Sequence, residues 1–187
     1  MDRKPYEAGM LAPAAGRVKR YNEGMLRDRN LVPLSHQHQH ALALCVRIDR
    51  SLKSGAQDPG GLAAWQAEIE QLFQGEIRYH FEAEEKVLFP AARRQPSLRI
   101  LVDELLAEHV RLRALARRAT ARSLDGAGLQ QFADTLSAHI RKEERHLFEQ
   151  CQALLPAPEL ERLGSALEHY FQNSGMPGAS CALRPPA

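Results

Sequence analysis

Two ten-residue stretches of this chain repeat each other. HFEAEEKVLF at residues 80–89 and HIRKEERHLF at residues 139–148 share five identities and two conservative matches, and each carries His-x-x-x-Glu: His80 with Glu84, and His139 with Glu143. Residues four apart lie on one helical face about one turn, or roughly 6 Å, apart, so the imidazole and carboxylate of each pair can reach one metal pair. Two further histidines, His38 and His109, interrupt apolar seams elsewhere in the chain. Four imidazoles and two carboxylates without a thiolate suit non-haem iron or manganese, and zinc less well. They are too many for one tetrahedral zinc. If both glutamates bridge, four nitrogens and four oxygens give eight bonds to two ions. A bridging oxide or hydroxide adds one bond to each ion, and an open place is left for a diatomic ligand.

The segments that must position these groups are bounded by Pro33, by SGAQDPGG (54–61), by RRQPS (93–97) and by DGAG (125–128). Between the breakers the chain is rich in Ala, Leu, Glu, Gln and Arg with few β-branched runs, which predicts an all-α protein. The first segment carries Leu34, His38, Ala41, Cys45, Ile48 and Leu52 at alternating spacings of four and three. The second runs Ile69, Phe73, Glu76, His80, Glu84, Val87, and the third Leu98, Leu101, Leu105, His109, Leu112, Ala116. The fourth runs Leu129, Phe132, Leu136, His139, Glu143, and then His146 or Leu147. Short connections predict an up-down-up-down four-helix bundle over 31–155, preceded by a lead-in at 1–30. An accessory C-terminal helix over 156–173 and a disordered tail over 174–187 are expected to follow. Residues counted back to each loop put His38, His80, His109 and His139 within roughly 3–5 Å of one height. A layer of uncompensated polar groups would cost several kcal/mol per charge, in a domain whose net stability is about 5–15 kcal/mol. Bound cations remove that cost.

Composition narrows the alternatives. A formal net charge of +2 with 26% charged residues gives no reason to expect a nucleic-acid or membrane partner, and no run of roughly 20 apolar residues or signal-like N-terminus is present. A cytoplasmic protein is expected. Cys45, Cys151 and Cys181 are odd in number and lack a CxxC pair, so they read as apolar fillers or a tail thiol. The arginines at 111, 113, 117, 118 and 122 read as a solvated helix face, with Arg113 alone near the histidine layer. His36, His38 and His40 compete for one ligand position. The seam selects His38, and a modest helix rotation would bring in His36 or His40 instead. His146 is a candidate supporting or extra ligand, or else a packed core histidine. His169 reads as a surface residue, and Glu85 and Glu144 as partners of basic residues or of the ligand histidines.

The order His, His-x-x-x-Glu, His, His-x-x-x-Glu across residues 31–150 resembles the hemerythrin-like, HHE cation-binding family. The resemblance implies a four-helix bundle around a non-haem di-iron centre. In it His38, His80, His109 and His139 would be terminal ligands, and Glu84 and Glu143 would bridge two iron ions. It implies dioxygen or another diatomic as the ligand, in oxygen binding, in sensing, or in iron handling. Two departures argue against simple oxygen carriage. Arg113 stands where carriers have a second histidine, four residues after the first, and Glu144 holds the five-residue spacing at which carriers place an aspartate. The seam and the first repeat favour Glu143 over Glu144. An oxidase, peroxidase or ferroxidase is the alternative function, a helical interaction protein without metal is the bland one, and self-association is compatible with either.

Overall fold

The computed structural model describes residues 26–55 and 58–177, and its ordered elements are helical. Helix α1 is Val32–Lys53. Helix α2 runs unbroken over 59–92, and a 3-10 turn at Pro96–Leu98 leads into α3, Arg99–Thr120. Helix α4 covers 126–154 and α5 is Ala157–Asn173. No helix among the described residues is long and apolar enough to cross a membrane. The N-terminal lead-in before residue 26, Cys181, and the tail expected to be disordered lie outside the described residues, except that 174–177 are described and Met176 packs on the core.

Two of the breaker segments start helices earlier than their composition suggests. Asp58 caps α2, its carboxylate accepting from the Gly61 amide at 3.0 Å, with Pro59 in the first turn. Asp125 caps α4 in the same way through the Gly128 amide at 2.8 Å. Such caps satisfy amides that the helix itself leaves unpaired, so Asp-Pro-Gly-Gly and Asp-Gly-Ala-Gly are starts as well as stops. Three seam positions are also displaced by one residue: Ile77 and Leu88 on α2 and Val102 on α3 are buried, rather than Glu76, Val87 and Leu101.

Three turns depart from α geometry. Phe73–Ile77 and Glu84–Leu88 in α2, and Glu143–Leu147 in α4, are π-helical. Each adds a residue to its turn and re-aims the side chains beyond it. In α4 Leu147 sits in the core and His146 is exposed. The expectation that His146 supports the layer, or packs inside as a core histidine, is therefore corrected.

The apolar interior is divided. One cluster contains Leu34, Leu88, Leu105 and Leu147; the other contains Ala41, Phe81, Leu112 and Leu136. Each of α1–α4 passes from one cluster to the other: His38 and His109 fall at the crossing, while on α2 and α4 His80 and His139 stand just before the last member of the second cluster, Phe81 and Ile140. Burying each leucine side chain contributes about 1.5–3 kcal/mol, so the apolar clusters offset the cost of the polar layer between them. Helix α5 adds Leu160, Leu163, Leu167 and Phe171 to the first cluster.

Gly164 lets α5 approach the turn before α1. A Cβ at that position would lie 2.7 Å from Asn30 Cβ and would also meet its Oδ1, and Asn30 is itself held by its amide donating to Asp28 Oδ1 at 2.9 Å. In an open helix Gly→Ala stabilises by about 1 kcal/mol. Here Gly164→Ala is expected to destabilise by about 1–3 kcal/mol through overpacking. Denaturant unfolding checks it, and an unchanged or raised midpoint would show that the turn yields freely.

Candidate metal centre

All six residues expected to form the site are brought together and buried: His38 on α1, His80 and Glu84 on α2, His109 on α3, and His139 and Glu143 on α4. Their donor atoms fall into two groups able to hold an ion. The first is His38, His80, Glu84 and Glu143, and the second is Glu84, His109, His139 and Glu143. His36 and His40 are exposed, so α1 is rotated as its seam requires and His38 alone of the three faces inward. His169 is exposed on α5.

Both carboxylates belong to both groups, and each divides its oxygens between them. Glu84 Oε1 is 3.2 Å from His80 Nε2, while its Oε2 is 3.3 Å from His109 Nε2. Glu143 mirrors this, with Oε2 3.2 Å from His38 Nε2 and Oε1 3.3 Å from His139 Nε2. Within each group the ring nitrogens converge as well: His38 and His80 Nε2 are 2.9 Å apart, and His109 and His139 Nε2 are 3.1 Å apart.

The outer nitrogen of every imidazole is already committed. His38 Nδ1 donates to Glu144 at 2.7 Å, His109 Nδ1 to Glu85 at 2.8 Å, and His139 Nδ1 to Glu108 at 2.9 Å. His80 Nδ1 donates to Gln37 Oε1 at 2.7 Å. With the proton on Nδ1, the neutral ring presents a lone pair at Nε2, the state in which imidazole binds a metal. The carboxylates are held in turn: Arg113 pairs with Glu85 at 2.7 Å, Lys142 with Glu108 at 2.6 Å, and Arg27 with Glu144 at 2.6 Å. Arg113, at the position that departs from the oxygen carriers, thus steadies the partner of His109 rather than facing the centre. The π turns at Glu84 and Glu143 allow the adjacent pairs to divide their work, the first glutamate facing inward and the second serving a histidine of another helix.

Gln37 and Glu108 in these roles were missed by sequence reasoning. The available signal for Glu108 was its position beside His109, in a chain where Lys142 also stands beside Glu143. Gln37 carried none beyond its place between His36 and His38.

Charge follows from this geometry. Burial would raise Glu84, but His80 and His109 hold its carboxyl well below the usual range. Burial works against protonated imidazole at His38 and His109, yet Glu143 with Glu144, and Glu84 with Glu85, pull them up to about 9. Glu85, Glu108 and Glu144, which burial alone would raise, are lowered to about 2 by the histidines and cations they face. Aromatic rings close the layer: Phe81 stacks on His109 at 3.7 Å, and Phe148 lies parallel to His38 at 5.6 Å.

The residues fit a metal. All four oxygens of Glu84 and Glu143 are buried without an aligned hydrogen-bond donor, although unsatisfied buried carboxylates are strongly disfavoured. Pairs of imidazole lone pairs facing each other at about 3 Å repel unless a cation or proton stands between them. Both anomalies disappear with a cation in each group. No match to the chain was found among curated proteins or among solved structures. The family model described as hemerythrin HHE cation binding domain matches residues 31–151, well over half of the chain. The buried His and Glu layer lies within that match, and the chain belongs to the hemerythrin HHE cation-binding family.

Proposed function

We propose that the protein holds a non-haem di-iron centre and uses it to bind or sense dioxygen or a related diatomic ligand. His38 and His80 serve one ion, His109 and His139 the other, and Glu84 and Glu143 span both. The observation that carries this reading is the division of each carboxylate's oxygens between two histidine pairs. A donor set of imidazole and shared carboxylate without thiolate supports iron over zinc. The alternation of the two apolar clusters along successive helices supports an up-down-up-down bundle as the frame.

When bound, iron of this kind supplies open coordination positions for a diatomic molecule. The chain's residues limit what reaches them. A void of about 10 Å³ beside His38, His80 and His139, walled by Ile77, Phe81 and Ile140, has room for about one water-sized molecule. That size leaves no room for an organic substrate beside the layer. The outer partners of the imidazoles fix each ring's tautomer and hold the protons away from the metal-facing nitrogens.

Anaerobic Fe(II) loading followed by dioxygen titration, with metal analysis and absorption spectra recorded together, tests the proposal. About two irons per chain and a stable, reversible adduct are expected. A folded chain that retains no iron would overturn the centre. Turnover of many equivalents of peroxide or Fe(II) would replace binding with the oxidase, peroxidase or ferroxidase alternative.

A further inference from the structure

The histidines that do not face the buried layer line a different feature. A groove of about 760 Å³ runs along α1 and α2, with His36, His40 and Glu76 on its wall. His36 and His40 are four residues apart on α1, hence on one face and about one turn from each other, and both are exposed. Two imidazoles at that spacing can take one divalent cation. His40 Nδ1 faces both oxygens of Glu76, at 3.1 and 3.2 Å. That contact repeats the arrangement of the buried centre, where a carboxylate on Nδ1 leaves Nε2 free for a metal. The donor atoms of His36, His40 and Glu76 are not gathered within one ion's reach as they stand, so His36, being exposed, would have to change rotamer to share the ion.

Glu76 also connects this face to the interior. It lies in the π turn Phe73–Ile77, four residues before His80, and its side chain is only 20% exposed. Glu76 and Gln37 line both the outer groove and the small void against His38 and His80. Gln37 is itself hydrogen-bonded to His80. A carboxylate and an amide oxygen therefore separate the exposed imidazoles from the buried ones, and both are hard donors suited to ferrous iron or another divalent ion in transit.

We propose that His36 and His40, steadied by Glu76, form an outer divalent-cation site at this groove, from which the ion passes to the buried histidines by way of Glu76 and Gln37. The destination rests on the di-iron reading; the outer site does not. The test measures Zn2+ binding to the oxidised, iron-loaded protein by equilibrium dialysis, and Fe(II) uptake by the metal-free protein by stopped flow. Wild type is expected to take one Zn2+ beyond its irons. His36→Gln/His40→Gln, altered only at exposed positions, is expected to lose it, and Glu76→Gln to weaken it about 10- to 100-fold. Both variants are expected to fill the buried centre about tenfold more slowly while reaching the same final iron content. Extra Zn2+ retained by the double variant, no extra Zn2+ on wild type, or unchanged filling rates would overturn the proposal. Wild-type protein that holds no iron would instead remove the di-iron reading, and the loss of Zn2+ on His36→Gln/His40→Gln would still be scored.

Discussion

Glu84→Ala is expected to empty both metal positions at once, and Glu143→Ala to do the same. Each carboxylate supplies one oxygen to each histidine pair, so neither group keeps its full set of donors when either glutamate is truncated. His80→Ala is expected to behave differently, because His80 belongs to the first group alone. The glutamate variants should also unfold more easily. The ions stabilise the fold by mass action, and the histidines facing the deleted carboxylate would be left buried without their counter-charge, a loss of about 3–5 kcal/mol for a broken buried pair. Iron content and denaturant midpoint, measured on the same preparations, check both parts. Glu84→Ala protein with near-normal iron would show that the carboxylate does not span the two ions. Loss of one iron only, from both glutamate variants, would point the same way.

The metal-free protein is expected to be most stable between about pH 4.5 and 6.5, and to weaken on both sides. His38 and His109 are raised from 6.5 to about 9. A raised histidine contributes stability that is complete below its unfolded value and is lost as pH rises through the folded one. Glu85, Glu108 and Glu144 are lowered from 4.5 to about 2, so their contribution is present above 4.5 and disappears as pH falls through 2. Each histidine is worth on the order of 3 kcal/mol by this linkage. The carboxylate and histidine shifts describe the same contacts and are not additive. Physically, the carboxylates facing His38 and His109 favour their protonated rings in the metal-free protein. Metal binding at neutral pH should therefore displace about two protons per chain, one from each raised histidine. Calorimetry in buffers of different ionisation heat counts them, and thermal unfolding of metal-free protein at pH 5.5 and 9.5 reads the stability. Equal midpoints at the two values would refute the proton's role.

The six residues of the buried layer were legible in the sequence because burial and spacing constrain them together. A repeated His-x-x-x-Glu on an apolar seam has one inward face, and the same seam separates His38 from its exposed neighbours His36 and His40. Gln37 and Glu108 were not legible, because whether a side chain beside one helix reaches an imidazole of the next depends on the rotation of both. The π turns are another case. A shift of hydrogen bonding by one residue leaves no mark in composition, and the seam alone did not choose between His146, which is exposed, and Leu147, which is buried. Asp58 and Asp125 were present as signals, and the glycines after them concealed that a helix had begun.

The oily interior stops on either side of the histidines, so at that level the four helices meet through imidazole, carboxylate and the aromatic rings stacked on them. The layer is then the level at which the two apolar clusters are tied together by side chains. An ion held there under the proposed function would bear on both clusters at once, and among the described residues α5 braces only the first of them.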